Sequence, residues 1–284
     1  MSKKKDYIRN HFVPKTYLKR FTDPTQWSNK KQFIDCLFKD ENLIRKVDTD
    51  SQCYQKNLYT LPEDFSMEEK KAIEIAFMGH VDSVYSKAMM NSYDQGSDPT
   101  IGDLNSLIWF VIFQSFRTPK FKQFHLSKSK EISQHIGKPE LHIDEYSYWL
   151  GYLCGKASIE IYDYFLLEIL ITHNYNWFIT SDNPGSFWIK NWNKTENIGT
   201  LLSCSDKNDL KLICPINPQI AFILHLNYLK KSKYPNTKDH ITYFTRQIER
   251  DEVNEINDLI FQASDNQIFS IDPRLLERYR ETIN

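Results

Sequence analysis

The fold turns on Trp177-Phe178-Ile179-Thr180-Ser181-Asp182-Asn183-Pro184, an apolar run that passes directly into a compact polar turn. Residues 177–180 combine aromatic and β-branched side chains, which predicts a buried strand. Ser181, Asp182 and Asn183 then set a hydroxyl, a carboxylate and an amide at its end. Downstream, residues 187–189, 201–202, 210–214, 220–226, 243–248 and 267–271 read as further strands, and 165–171 as one upstream. Pro215 and Pro218 mark an edge or bend, and residues 250–263 read as a helix.

The first half reads differently. Ser66-Met67-Glu68-Glu69 has the Ser-x-x-Glu form of a capping box. Ile73, Ala76, Phe77, Val81, Val84 and Ala88 follow at helical spacing, which predicts an amphipathic helix over 67–91. Thr100 and Asp103 announce a second helix. Residues 104–116 are apolar on nearly every side, so this helix is expected to be central. Pro119 stops it near Thr118. Residues 120–140 read as a basic helix and a third apolar helix starts at Asp144. Residues 32–48 read as a hairpin turning at Asp40-Glu41-Asn42, and 57–61 as a strand. The expected architecture is a single α+β domain over 1–284. Long buried helices fill the first half and a mostly antiparallel sheet the second, with an N-terminal hairpin joining or capping the sheet. Residues 1–5 read as a disordered basic tail.

Composition removes several classes. With 8 glycines and no GxGxxG or GxxxxGK[ST], the common phosphate-cradling loops are missing. Five scattered cysteines, without CxxC or Cys/His spacing, read as reduced thiols of a cytoplasmic protein and not as a zinc site. The longest apolar run, 107–113, is far short of the ~20 residues of a membrane span. Charge is balanced at 36 basic and 37 acidic residues, so any pull on nucleic acid must be local. Basic residues gather in 1–20 and 117–130. Lys15, Lys19, Arg20, Lys120 and Lys122 are the candidates for holding a phosphate backbone, with Ser181 as a hydrogen-bonding neighbour.

Three further stretches complete the pattern. They are His11-x-x-Pro14-x-x-Tyr17-Leu18-x-x-Phe21, Arg117-Thr118-Pro119 and Cys214-Pro215-Ile216-Asn217-Pro218. With the opening stretch, they resemble the largely bacterial family catalogued as domain of unknown function 4238, in order and spacing from residue 11 to about 270. Glu74 matches a position that the family pattern keeps acidic. Where the family has Pro-Leu-Ser-Pro, this chain has Pro215-Ile216-Asn217-Pro218.

The resemblance and the chemistry together select His11, Glu74, Arg117, Asp182 and Asn183 as candidate catalytic residues. If these converge, Glu74 and Asp182 suit a hard divalent ion, Mg or Mn. His11 suits a general base, and Arg117 the charge developing on a phosphate. A variant pairs Asp182 with Asp209-Leu210-Lys211 in an acid, acid-x-Lys arrangement. The expectation is a nuclease-like phosphodiester hydrolase, of the defence or toxin-effector kind, acting on nucleic acid or a nucleotide. The alternative is a non-catalytic module binding a nucleotide, phosphorylated ligand or protein partner. In that reading the polar cluster is structural, with Arg117 paired to Asp182.

Overall fold

The computed structural model describes residues 9–58, 66, 68, 79–136, 165–173, 176–189, 210–226, 236–237 and 239–283. Most of the expected helical segment 67–78 (all but Glu68), the segment 144–159, the strand at 201–202, Glu74 and Asp209 lie outside the described residues.

The chain is α+β. A short strand β1 (Arg9–His11) leads into a one-turn helix α1 (Lys15–Leu18). The hairpin follows as β2 (Phe33–Phe38) and β3 (Leu43–Asp48), antiparallel throughout. Its turn holds Asn42 at φ 49°, a left-handed conformation that asparagine tolerates. Strand β4 (Tyr54–Lys56) pairs with β1. The next described helices are α2 (Gly79–Asn91), α3 (Ile101–Phe116) and α4 (Pro119–Ile136). Thr100 and Asp103 close a reciprocal capping box at the start of α3. Pro119 ends α3 and takes the first position of α4, where its missing N–H costs nothing.

The second half supplies β5 (Phe165–Thr172), β6 (Thr180–Ser181), β7 (Ser186–Ile189), β8 (Leu210–Asn217), β9 (Ile220–Leu226), β10 (Tyr243–Ile248) and β11 (Gln267–Ser270), with helices α5 (Arg250–Ala263) and α6 (Pro273–Thr282). Five strands form one sheet in the order β10-β5-β9-β8-β7, antiparallel except for the parallel pair β10–β5. The hairpin forms its own four-stranded sheet with the late strands, in the order β3-β2-β11-β6.

The period-two alternation of the five-stranded sheet sorts its side chains into two cores. One face carries Phe165, Leu167, Ile169, Leu212, Cys214, Phe222 and Leu224 and packs on Tyr17, Phe21, α2 and α3. The other carries Leu170, Ile213, Ala221, Ile223 and Ile248 and packs on Val253, Ile256 and Ile260 of α5. Within the first core Tyr85 stacks on Phe110 at 4.1 Å between ring centroids, and Tyr17 lies 5.4 Å from the same ring.

Three elements differ from the sequence expectation. The strand expected to start at Asn57 lies instead at Tyr54–Lys56, and Asn57 turns the chain at φ 54°. Residues 177–179 are not strand, and only Thr180 and Ser181 pair, with β11. The Phe178 N–H donates to the Pro218 carbonyl and the Ile179 N–H to Asn257 Oδ1, while Asn257 Nδ2 donates to the Trp177 carbonyl. A buried amide side chain of α5 thus takes the hydrogen bonds a neighbouring strand would take. Pro215 lies inside β8, where a register shift between Pro215 and Asn217 absorbs its missing donor. Helix α6 was not expected, although its signal is present: Asp272 caps the N-terminus and Pro273 follows at the first turn.

Candidate functional site

The four motifs converge on the junction between the helices, the hairpin sheet and α5. Tyr17 donates its hydroxyl hydrogen bond to the Pro215 carbonyl at 2.6 Å and lies 2.7 Å from Thr180 Oγ1. Tyr85 on α2 donates to the next carbonyl, that of Ile216, at 2.8 Å. The phenols therefore tie the first motif and α2 to the proline-bracketed end of β8. Burial pushes both hydroxyls well above the ordinary tyrosine value, so they act as neutral donors.

Arg117 leaves the buried end of α3 and is fully buried itself. Its Nε donates to the Phe12 carbonyl at 3.1 Å and to Gln114 Oε1 at 2.8 Å, and Nη1 donates to Asp82 Oδ1 at 2.9 Å. Gln114 Nε2 donates to the same Phe12 carbonyl at 2.7 Å. The ion pair expected with Asp182 is made instead with Asp82, because α3 runs beside α2 and brings that carboxylate to its C-terminal end.

Asp182 is 7% exposed. Its Oδ1 accepts the Asp265 N–H at 2.8 Å, and its Oδ2 accepts those of Asn266 at 2.7 Å and Gln267 at 2.9 Å. Burial pushes its carboxyl above the usual range while these amides pull the other way. Asn183 donates from Nδ2 to the Ala263 carbonyl, and its Oδ1 accepts from Thr118 Oγ1. Ser181 Oγ accepts the Asn183 N–H, which closes the turn. Lys120 donates to the Ala263 carbonyl at 2.7 Å, and Lys39 reaches the carbonyls of Phe261 and Ser264. Two ammonium groups and an amide thus meet the carbonyl-rich end of α5. Gly185 closes the junction. A Cβ there would lie 2.6 Å from Ser115 Oγ and 3.1 Å from Ser115 N, so Gly185→Ala is expected to cost about 1–3 kcal/mol in urea unfolding.

The other sequence candidates spread around this junction. His11 lies on β1 with Nε2 3.3 Å from the Asp50 carbonyl and its ring 6.0 Å from that of Tyr54. Lys15 pairs with Asp50 at 2.7 Å. Arg20 is buried, pairs with Asp94 and lies over the Trp27 ring. Lys122 donates to the Leu58 carbonyl at 2.7 Å. Lys19 is half-buried, its carbonyl accepting from Thr22. No helix among the described residues is long and apolar enough to cross a membrane. No group of three or more His, Cys, Asp or Glu among them could hold a metal ion.

A family model described as "Protein of unknown function (DUF4238)" matches residues 9–145 and 156–274. The chain belongs to the DUF4238 family. No curated protein and no solved structure matches it. The DUF4238 match spans all four motifs, and what they share in this fold is one hydrogen-bonded junction.

A second polar group, not anticipated from the sequence, lies on the α5 face of the five-stranded sheet. Glu168 on β5 is buried and bridges two neighbours: His225 Nε2 lies 2.6 Å from its Oε2, and Arg246 Nε donates to Oε1 at 2.5 Å. Arg246 also grips Glu252, in the first turn of α5, with both terminal nitrogens. Burial alone would raise the Glu168 carboxyl, but the hydrogen bonds and charge of His225 and Arg246 outweigh it and hold the group at about 2. A folded value below the ordinary 4.5 stabilises the fold above that pH, and the contribution is lost as pH falls toward about 2. Urea unfolding of wild type and Glu168→Gln is therefore expected to show a gap at pH 6 that shrinks at pH 3. An equal gap at both contradicts this assignment.

Proposed function

We propose that this DUF4238 chain is a non-catalytic module that binds a nucleotide or another phosphorylated ligand, its family motifs building the scaffold. The observation that carries this reading is the Asp182 carboxylate, buried and receiving three main-chain N–H groups. A catalytic metal needs carboxylate oxygens turned to an open position. Asp182 turns its oxygens to the backbone of residues 265–267. Arg117 supports the same reading, since its guanidinium is committed to Asp82, Gln114 and the Phe12 carbonyl. Lys120 and Lys122 hold main-chain carbonyls in place of a phosphate backbone. The ligand class is supported by Lys211, which lies directly opposite His225 on the sheet face with its ammonium beside the Trp188 ring. We read the protein as cytoplasmic, because Cys36, Cys53 and Cys214 are buried free thiols, a state that a reducing compartment maintains.

The test is a nucleic-acid cleavage panel with Mg2+ or Mn2+, run beside thermal unfolding with nucleotides and inorganic phosphate. The expected result is no metal-dependent cleavage and a raised Tm with at least one phosphorylated compound. Metal-dependent cleavage that disappears in a folded Asp182→Asn variant would overturn the reading in favour of hydrolysis at the motif residues.

A further inference from the structure

Helix α5 covers the apolar part of its sheet face, over Leu170, Ala221, Ile223, Ile213 and Ile248. The same face continues as a polar row, because Glu168, Lys211, His225 and Arg246 each lie an even number of residues from one of those positions. The strand registers set the row. Lys211 on β8 is directly opposite His225 on β9, and Trp188 on β7 is directly opposite Lys211. Directly opposed antiparallel residues have Cβ atoms about 4.5–5.5 Å apart, so the Lys211 and His225 side chains leave the sheet as neighbours. Lys211 Nζ lies 5.3 Å from the centroid of the Trp188 ring.

The carboxylates of this region are already matched. Glu168 holds His225 and Arg246, and Glu252 holds the remaining nitrogens of Arg246. That chain of contacts ties the first turn of α5 to the sheet, which is a sufficient structural role for its four members. It does not include Lys211. Among the described residues, Lys211 Nζ has the Trp188 ring beside it and no carboxylate, and His225 Nδ1 has no hydrogen-bond partner. Two half-buried polar groups from adjacent strands are thus left side by side on the face.

We propose that Lys211 and His225 form a phosphate-binding site on this sheet face, taking the phosphate group of a small phosphorylated ligand. Lys211 donates its ammonium to one phosphate oxygen. An ionised Glu168 only accepts, so His225 Nε2 carries a proton toward it and Nδ1 is the free position. In the neutral ring Nδ1 accepts from P–OH, and in the charged ring it donates to P–O⁻, so both ring states find a partner on phosphate. The Trp188 ring lies beside the Lys211 ammonium and positions it. Glu168, Arg246 and Glu252 are positioning residues that fix the imidazole.

This site rests on the binding reading above, and the experiment separates the two. The full chain is titrated with inorganic phosphate and, separately, with adenosine 5′-monophosphate. The Tm is followed in wild type, Lys211→Met, His225→Gln and the surface control Lys46→Ala, and the His225 ring resonances in all of these except His225→Gln. Phosphate is expected to shift the His225 resonances. Lys211→Met and His225→Gln should each weaken phosphate binding by about tenfold or more, with Lys46→Ala unchanged. Tighter binding of the monophosphate than of free phosphate assigns the site to a phosphate ester, and the reverse to the free ion. Binding that is equal in wild type, Lys211→Met and His225→Gln overturns this site and leaves the binding reading standing. No response of resonances or Tm to either compound overturns both.

Discussion

Asp182→Ala is expected to be among the most damaging single substitutions in the chain, costing about 4 kcal/mol of stability. The cost comes from the partners more than from the carboxylate. Three main-chain donors, those of Asp265, Asn266 and Gln267, lose their buried acceptor together. A fully buried unsatisfied group costs about 1–3 kcal/mol, and these half-buried and exposed donors recover part of that from water, so the three together account for about 4 kcal/mol. These donors lie in the bend between α5 and β11 and at the first residue of β11, the strand that joins the hairpin to β6. Loss of the bend therefore loosens the four-stranded sheet as well. In a domain of this size the Tm is expected to fall by roughly 10 °C. Asp182→Asn keeps the shape but offers one acceptor oxygen in place of two, so it is expected to fall between wild type and alanine. A fully stable Asp182→Ala protein would show that the carboxylate is not a structural acceptor.

Arg117→Met is the second large effect, expected at about 3–5 kcal/mol because it removes a fully buried cation from the part-buried Asp82 carboxylate. Methionine fills much of the volume, so the loss reports charge and hydrogen bonding. Asp82 loses its cation, while the Phe12 carbonyl keeps Gln114. Arg117→Lys keeps the charge but cannot reach Asp82, Gln114 and Phe12 from one rigid planar group, so it is expected to recover only part of the loss. The double variant Asp82→Asn with Arg117→Met should be less destabilised than the sum of the singles, since the two charges are in direct contact and each single change removes the same pair. Additive losses in denaturant unfolding would mean that the two side chains are not coupled.

How far the sequence spoke depended on the range of the interaction. The Thr100–Asp103 box, the Pro119 corner and the helix over residues 250–263 rest on contacts within a few residues, and all three stand in the fold. The hairpin was legible for the same reason, with Asn42 supplying the turn. The strand expected over residues 177–179 failed because Asn257, some 80 positions along, supplies its hydrogen bonds. No local pattern encodes that. The partner of Arg117 was misread for the same cause: Asp82 and Asp182 are equally plausible by charge, and only the packing of α2 beside α3 selects between them. His225 stood inside an apolar run and Glu168 inside another. Their pairing depends on β5 lying next to β9, which period-two alternation cannot reveal. The motif residues did come together, but as a joint held by main-chain groups.

That joint is tested most directly by amide hydrogen exchange at Asp265, Asn266 and Gln267 in the wild-type protein and in Asp182→Asn. If the Asp182 carboxylate holds the bend, all three amides in the wild type are protected to nearly the level of global unfolding, and in the variant they exchange far faster than the core of β9. If the three amides exchange freely in the wild type, the carboxylate is available for other chemistry and the scaffold account is contradicted.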